Sequence, residues 1–294
     1  MSNLLERVAA GHILISDGAM GTFLHAKGLA VGECPESWCV SHPDEVRSIA
    51  EAYIAAGADI VETNSFGGTA YKLGLYGLAD NVAEFNRAAA ALAKQAMGDK
   101  GFVAASVGPT GQILVEQGGE VTSECLYKAF CDQVVALAEG GADAVCVETM
   151  ASVEEALQAI KAAKANTRLP VICTFTFEAG KRGFRTMMGL TPERAAKEAA
   201  AGGADVIGAN CGNGIANMIE IAKQMRTAAP GVPILIHANA GAPVLRDGQT
   251  VFPESPEYMA SRVAELIAAG ANIIGGCCGT TPAHIAAMAK AARG

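Results

Sequence analysis

The chain has 294 residues and a formal net charge of −8 at neutral pH, and its lysines and arginines form no cluster beyond GKRGFR at 180–185. That argues against nucleic acid or an anionic membrane surface as a partner, since both demand a basic footprint. Although 51% of the residues are hydrophobic, no apolar run reaches the roughly 18 residues of a membrane helix.

Residues 1–11 read as an N-terminal helical extension; Glu6 and Arg7 stand where a signal peptide would be apolar, so the sequence reads as that of a cytoplasmic protein. A strand is expected near 12–17, then a helix over 44–56. The alternation continues with strands near 59–64, 102–107, 144–148, 170–176, 206–210, 233–238 and 272–276. The helical patterns that follow them cover 82–97, 123–139, 152–165, 192–202, 215–228, 256–269 and 282–292. One unit recurs at the helix-to-strand junctions: AAGADIVETN at 55, EGGADAVCVET at 139, AGGADVIGAN at 201 and AAGANIIGGC at 268. Its glycines (Gly57, Gly141, Gly203, Gly270) suit the left-handed position after a helix. The short apolar runs that follow suit strands buried on both faces of a parallel sheet. Eight strands, each followed by a helix, predict an α/β fold, a single-domain (β/α)8 TIM barrel over 1–294. The alternative, a doubly wound open sheet, lacks its glycine fingerprint after the first strand.

In such barrels chemistry sits at the C-terminal strand ends. There the chain places Asp17 with Gly18, then Glu62-Thr63-Asn64, Gly108-Pro109-Thr110, Glu148-Thr149, Asn210-Cys211, Asn239 and Cys277-Cys278. This polar series predicts a functional rim. Nine cysteines, an odd number, mostly lie in apolar patterns, which argues for reduced thiols. Cys34, Cys39, Cys125, Cys131, Cys146 and Cys173 read as small buried residues. Cys211 ends the sixth strand while Cys277 and Cys278 end the eighth, and alternate strands feed the same barrel layer. Glycines at 275, 276 and 279 free the backbone to turn both adjacent sulfurs toward one point. Three convergent thiolates fit zinc, and three protein ligands leave a fourth position open, as in a catalytic site. Zinc deprotonates a bound thiol outright, so alkyl transfer onto a substrate sulfur is the expected chemistry. A vicinal disulfide between Cys277 and Cys278 is the oxidised alternative.

DGAMGT at 17–22, GECPE at 32–36, AGADIVETNSFGG at 56–68, GPTG at 108–111, NCG at 210–212, NAG at 239–241 and GGCCGTTPAHI at 275–285 resemble the homocysteine S-methyltransferase family. Within it the likeness is to the homocysteine-binding module of cobalamin-dependent methionine synthases, over residues 12–290. The resemblance implies that Cys211, Cys277 and Cys278 bind zinc, that homocysteine sulfur takes the fourth position, and that Asp17 and Glu148 hold its ammonium group. Backbone N–H groups of the turn at 18–21, with Gly18 and Ala19, would then hold the carboxylate. Asp17 also reads as a turn or cap residue and Glu148 as a partner for a barrel Arg or Lys. Asn210 and Asn239 read either as ligand-orienting or as structural groups.

His237 stands where these relatives have Tyr followed by Pro; it reads as a core histidine, with an acid/base or ligand role as the alternative. His284 follows Thr280, Thr281 and Pro282, a helix start, and is assigned no chemistry. Segment 178–189 is expected to close over the site as a lid, its Arg182 and Arg185 either solvated or paired. The family divides by methyl donor. A quaternary ammonium donor such as betaine wants an aromatic cage, whereas Thr149 follows the Glu of the fourth strand and Trp38 lies in what reads as a distant loop. The expected donor is therefore methylcobalamin or a methyl-corrinoid on a separate protein or module, since no D-x-H-x-x-G cobalamin motif occurs. S-methylmethionine as donor, another small thiol or thioether as partner of a corrinoid, and a non-catalytic zinc scaffold are the alternatives.

Overall fold

A computed structural model describes residues 3–246 and 249–294. Eight parallel strands form one sheet: β1 (Leu14–Ile15), β2 (Ile60–Glu62), β3 (Phe102–Val107), β4 (Ala144–Met150), β5 (Val171–Phe175), β6 (Val206–Asn210), β7 (Ile234–Ala238) and β8 (Ile273–Gly276). Each pairs with its neighbour in sequence, β1 pairs with β8, and a parallel bridge from Ser16 to Ile60 joins β1 to β2 and closes the ring. The expected TIM barrel is the observed fold. No helix among the described residues is long and apolar enough to cross a membrane.

The repeated junction has two physical parts. Gly57, Gly141, Gly203 and Gly270 all take φ between 98° and 107°, a region where a Cβ is strained. Two residues later the side chain turns back to cap the preceding strand. Asp59 Oδ2 accepts from the Ile15 N–H, Asp143 Oδ2 from Val103, Asp205 Oδ2 from Val171, and Asn272 Oδ1 from Ile234, at 2.7–3.0 Å. Each even strand is thereby stapled to the odd strand before it. Lys94, Lys164 and Arg293 hold the three aspartates, and Arg226 the asparagine.

Strand side chains alternate between faces. One inward layer is apolar and draws on every strand: Leu14, Ile60, Ala104, Ala144 with Cys146, Ile172, Val206, Leu235 and Ile273. The N-terminal helix Leu4–Ala9 inserts Leu4 and Val8 into the same cluster and plugs the barrel floor. Two residues further along six strands the inward position becomes polar: Ser16, Ser106, Glu148, Thr174 and His237 are buried and Glu62 partly so. That layer is the floor of the site.

Several boundaries differ from the sequence reading. The first strand shrinks from 12–17 to two residues, and the second begins after Asp59, whose side chain serves as a cap instead. The helix expected over 256–269 is split into Pro256–Ser261 and Val263–Ala268, where the Arg262 N–H bonds the Met259 carbonyl three residues back. The loops carry unpredicted elements: helices Gly21–Ala26, Trp38–Ser41 and Ala70–Gly74, and antiparallel hairpins pairing 178–180 with 183–185 and 244–246 with 249–251. Trp38 is thus helical and buried rather than in a loop, stacked on His42. Cys125, expected inside, is exposed in the first turn of helix Ser123–Glu139, and Cys131 is half-buried.

Candidate metal and substrate site

β7 lies between β6 and β8, and its carbonyls position the cysteines. The Cys211 N–H donates to His237 O at 3.1 Å and the Cys277 N–H to Ala238 O at 2.8 Å. Continued alternation would point Cys211 away from the barrel, opposite Asn210. Instead Cys211 takes φ +60°, followed by Gly212 at +71°, and the chain turns. Such a conformation in a non-glycine residue costs on the order of 1–3 kcal/mol and persists where the surroundings enforce it. After Gly276 the strand ends, and Gly279 at φ +80° turns the chain toward Thr281 and Pro282. The Sγ atoms of Cys211, Cys277 and Cys278 all lie within 4.8 Å of one another, Cys211 and Cys278 at 3.7 Å.

This donor set fits zinc. Tetrahedral zinc with bonds of about 2.3 Å requires sulfurs roughly 3.8 Å apart, and the three are half-buried in a group that contains no disulfide. The neighbouring thiols of Cys277 and Cys278 hold the Cys211 thiol far below the ordinary value. The same contacts raise Cys277 and Cys278.

The cysteines open onto a cavity of about 280 Å³ lined also by Gly18 to Thr22, Pro35, Glu36, Glu62 to Phe66, Ser106, Glu148, Thr149 and His237. No Lys or Arg lines it. Glu148 is held by the Ser106 hydroxyl on Oε1 and by Asn210 Nδ2 at 3.1 Å on Oε2. Glu62 is partly buried, its enclosed Oε1 has no hydrogen-bond partner, and His237 Nδ1 stands 3.8 Å from that oxygen. Burial raises all three carboxyls of the site above the ordinary range, Asp17, Glu62 and Glu148. Mutual repulsion adds to this for Asp17 and Glu62, and Ser16, Ser106 and a weak bond from the Cys146 thiol act against it. His237 is lowered to about 4 by burial and is therefore a neutral core imidazole at neutral pH.

The sequence-derived residues fall into two shells of contact. Gly18, Ala19, Glu148, Cys211, Cys277 and Cys278 reach the cavity; Asp17, Asn210 and Asn239 do not line it. Asp17 is 1% exposed and its Oδ2 accepts the Glu62 N–H at 2.8 Å, so it buttresses the wall from behind. Asn210 is fully buried: its Oδ1 accepts from the Thr149 N–H and the Thr174 hydroxyl, and its Nδ2 donates to Glu148 and Thr149 Oγ1. Asn239 is buried, and its side chain contributes to lowering the Cys211 thiol. The Ala19 N–H is already bonded to Thr280 Oγ1, whereas Gly21 and Thr22, first in a helix, have no intrahelical acceptor for theirs. None of residues 178–189 lines the cavity. They form an exposed hairpin pinned by Thr186 to Ala151 O, and Arg185 bonds Gly189 O. The loops after β1 and β2 line the cavity. His284 caps its helix with Thr281 and bonds Glu254 O, as expected of a residue without chemistry. Glu62, unassigned from sequence as a ligand group, was detectable there: it lies two residues past inward Ile60.

Residues 14–292 match the model of the family described as Homocysteine S-methyltransferase. The chain belongs to the homocysteine S-methyltransferase family. It is 31% identical over 308 residues to the methionine synthase of Mycobacterium tuberculosis and 32% over 310 residues to that of Mycobacterium leprae, covering 99% of this chain in both cases. It spans only 25% of the length of those relatives. Among solved structures it is similar to the homocysteine methyltransferase MmuM from Escherichia coli. The metallated form matches with TM-score 0.78 and 24% identity over 95% of this chain and 96% of that one. The oxidised form matches with TM-score 0.78 and 25% identity over 97% and 99%. This member of the family carries a group of three cysteines that could hold a metal ion, on a TIM barrel.

Proposed function

We propose that the chain transfers a methyl group to the sulfur of homocysteine, giving methionine, with zinc held by Cys211, Cys277 and Cys278 and a methylated corrinoid on a separate protein or module as donor. The observation that carries this reading is the meeting of three thiols within 4.8 Å at one end of a cavity with an acidic wall. Zinc bound there supplies a deprotonated, nucleophilic substrate sulfur at neutral pH. Glu148 attracts the ammonium end of the amino acid, with the charge of Asp17 behind it. The free N–H groups of Gly21 and Thr22 face its carboxylate, a part that Ala19 cannot take. Asn210 and Asn239 act on the site indirectly, through Glu148, Thr149 and Cys211.

Two features favour a corrinoid over betaine. Thr149 lines the cavity where an aromatic cage would begin, and Phe66 is the single Phe, Tyr or Trp on its wall. Exposed apolar side chains also lie on the loops after β1, β3, β5 and β7, at Val31, Ile113, Val115, Met187, Met188 and Leu245. These loops leave the C-terminal strand ends, the end of the barrel that holds the cavity, and offer apolar surface suited to a macromolecular donor.

The test is to measure bound zinc and screen methyl donors against homocysteine, then repeat both with Cys211→Ala. One equivalent of zinc, turnover with methylcobalamin or a methylated corrinoid protein, and joint loss of metal and activity in the variant are expected. Faster turnover with S-methylmethionine overturns the donor assignment. Tight homocysteine binding without methyl product overturns catalysis in favour of a zinc-thiol scaffold.

A further inference from the structure

The acceptors of the acidic wall are unequally occupied. Both oxygens of Glu148 already receive donors from Ser106 and Asn210, and Asp17 receives the Glu62 N–H without reaching the cavity. Glu62 lines the same cavity with a partly exposed side chain, and its enclosed Oε1 is, alone among the oxygens of these carboxylates, a buried acceptor with no partner. The closest basic nitrogen, His237 Nδ1, is 3.8 Å away, beyond hydrogen-bonding distance. A buried acceptor left without a donor is costly, and a native structure keeps one where a ligand supplies the donor. No Lys or Arg of the cavity wall can do so.

Resting on the thiol-methylation reading above and deepening it, we propose that Glu62 is the specificity residue that selects an amino-acid thiol, its carboxylate accepting an N–H of the substrate ammonium group. Glu148 then completes the cation's surroundings as an oriented, already hydrogen-bonded neighbour. Asp17 fixes the main chain of Glu62, which explains how a carboxylate outside the cavity still bears on recognition. His237 walls the other side of Glu62 on β7, and Gly275 opposite it on β8 has no side chain because a Cβ there would stand 2.8 Å from the imidazole.

The experiment compares two thiols, L-homocysteine and 4-mercaptobutanoate, which keeps the thiol and carboxylate but lacks the ammonium. Their binding to the zinc-loaded protein is measured by calorimetry for the unmodified chain and for Glu62→Gln. The expected result is that the variant binds homocysteine at least about tenfold more weakly while its affinity for 4-mercaptobutanoate changes less than about twofold. Zinc content should be unchanged. Equal losses for both thiols, or no loss for homocysteine, overturn the assignment of Glu62 and leave the thiol-methylation reading intact. Failure of the unmodified zinc protein to bind either thiol overturns that reading, and this one with it.

Discussion

Asn210 is the side chain on which most of the site depends. Through three hydrogen bonds it ties Thr149, at φ +61°, and Glu148 on β4 to the end of β6, immediately before Cys211 at φ +60°, and a fourth joins it to Thr174 on β5. Replacing it leaves a buried N–H and a carboxylate oxygen without partners and releases two strained residues. Asn210→Ala is therefore expected to lower stability by about 2–4 kcal/mol in urea unfolding and to weaken zinc retention under dialysis against a chelator. His237 sets a pH dependence. In the folded chain its pKa is lowered to about 4, against about 6.5 when unfolded. Between these values the unfolded chain binds a proton that the folded chain refuses. The stability conferred by keeping the ring neutral is thus complete above pH 6.5 and is lost as pH falls through about 4. In metal-free protein, His237→Gln should remove a loss on the order of 3 kcal/mol over that interval; thermal melts at pH 7 and pH 4.5 check it.

The recurrent Gly-Ala-Asp or Gly-Ala-Asn junction joins local conformation to barrel closure. Its glycines were readable as helix ends because a residue after a helix takes positive φ. The role of its acidic residue was not, since its acceptor groups meet a strand more than 30 residues earlier. Asp143→Ala removes the cap on the Val103 N–H and the bond from Lys94, so a loss of about 1–3 kcal/mol is expected. Because this staple lies at the end of the barrel opposite the cysteines, zinc content and homocysteine affinity should not change. A fall in either would show that the two ends are coupled. Strand lengths were overestimated at β1 and β2 for a related reason: Asp59 and Asp17 look like strand residues by pattern but act as caps.

At the scale of the whole molecule, the barrel stacks an apolar inward layer under a polar one, and the floor is plugged by Leu4 and Val8. Chemistry is thereby confined to one end, beneath the apolar loops of the mouth. If a corrinoid protein docks on those loops, Met187→Ser with Leu245→Ser should lower kcat/KM for the protein-borne donor about tenfold or more while leaving turnover with free methylcobalamin unchanged. Equal effects on both donors would argue against docking there. Eight strands, their order and the three convergent cysteines were legible from periodicity, from glycine at helix ends and from the parity of β6 and β8. Those signals are local or follow from the symmetry of the fold. Which carboxylate faces the ligand was not legible, because Asp17, Glu62 and Glu148 all sit at strand ends with similar local sequence. Only the packing of β1 against β2 and the bonds of Ser106 and Asn210 distinguish them. The chain's residue pattern thus dictates the barrel and the convergent thiols, whereas hydrogen-bond occupancy across strands distant in sequence decides that Glu62, on the cavity wall, keeps an unpartnered acceptor.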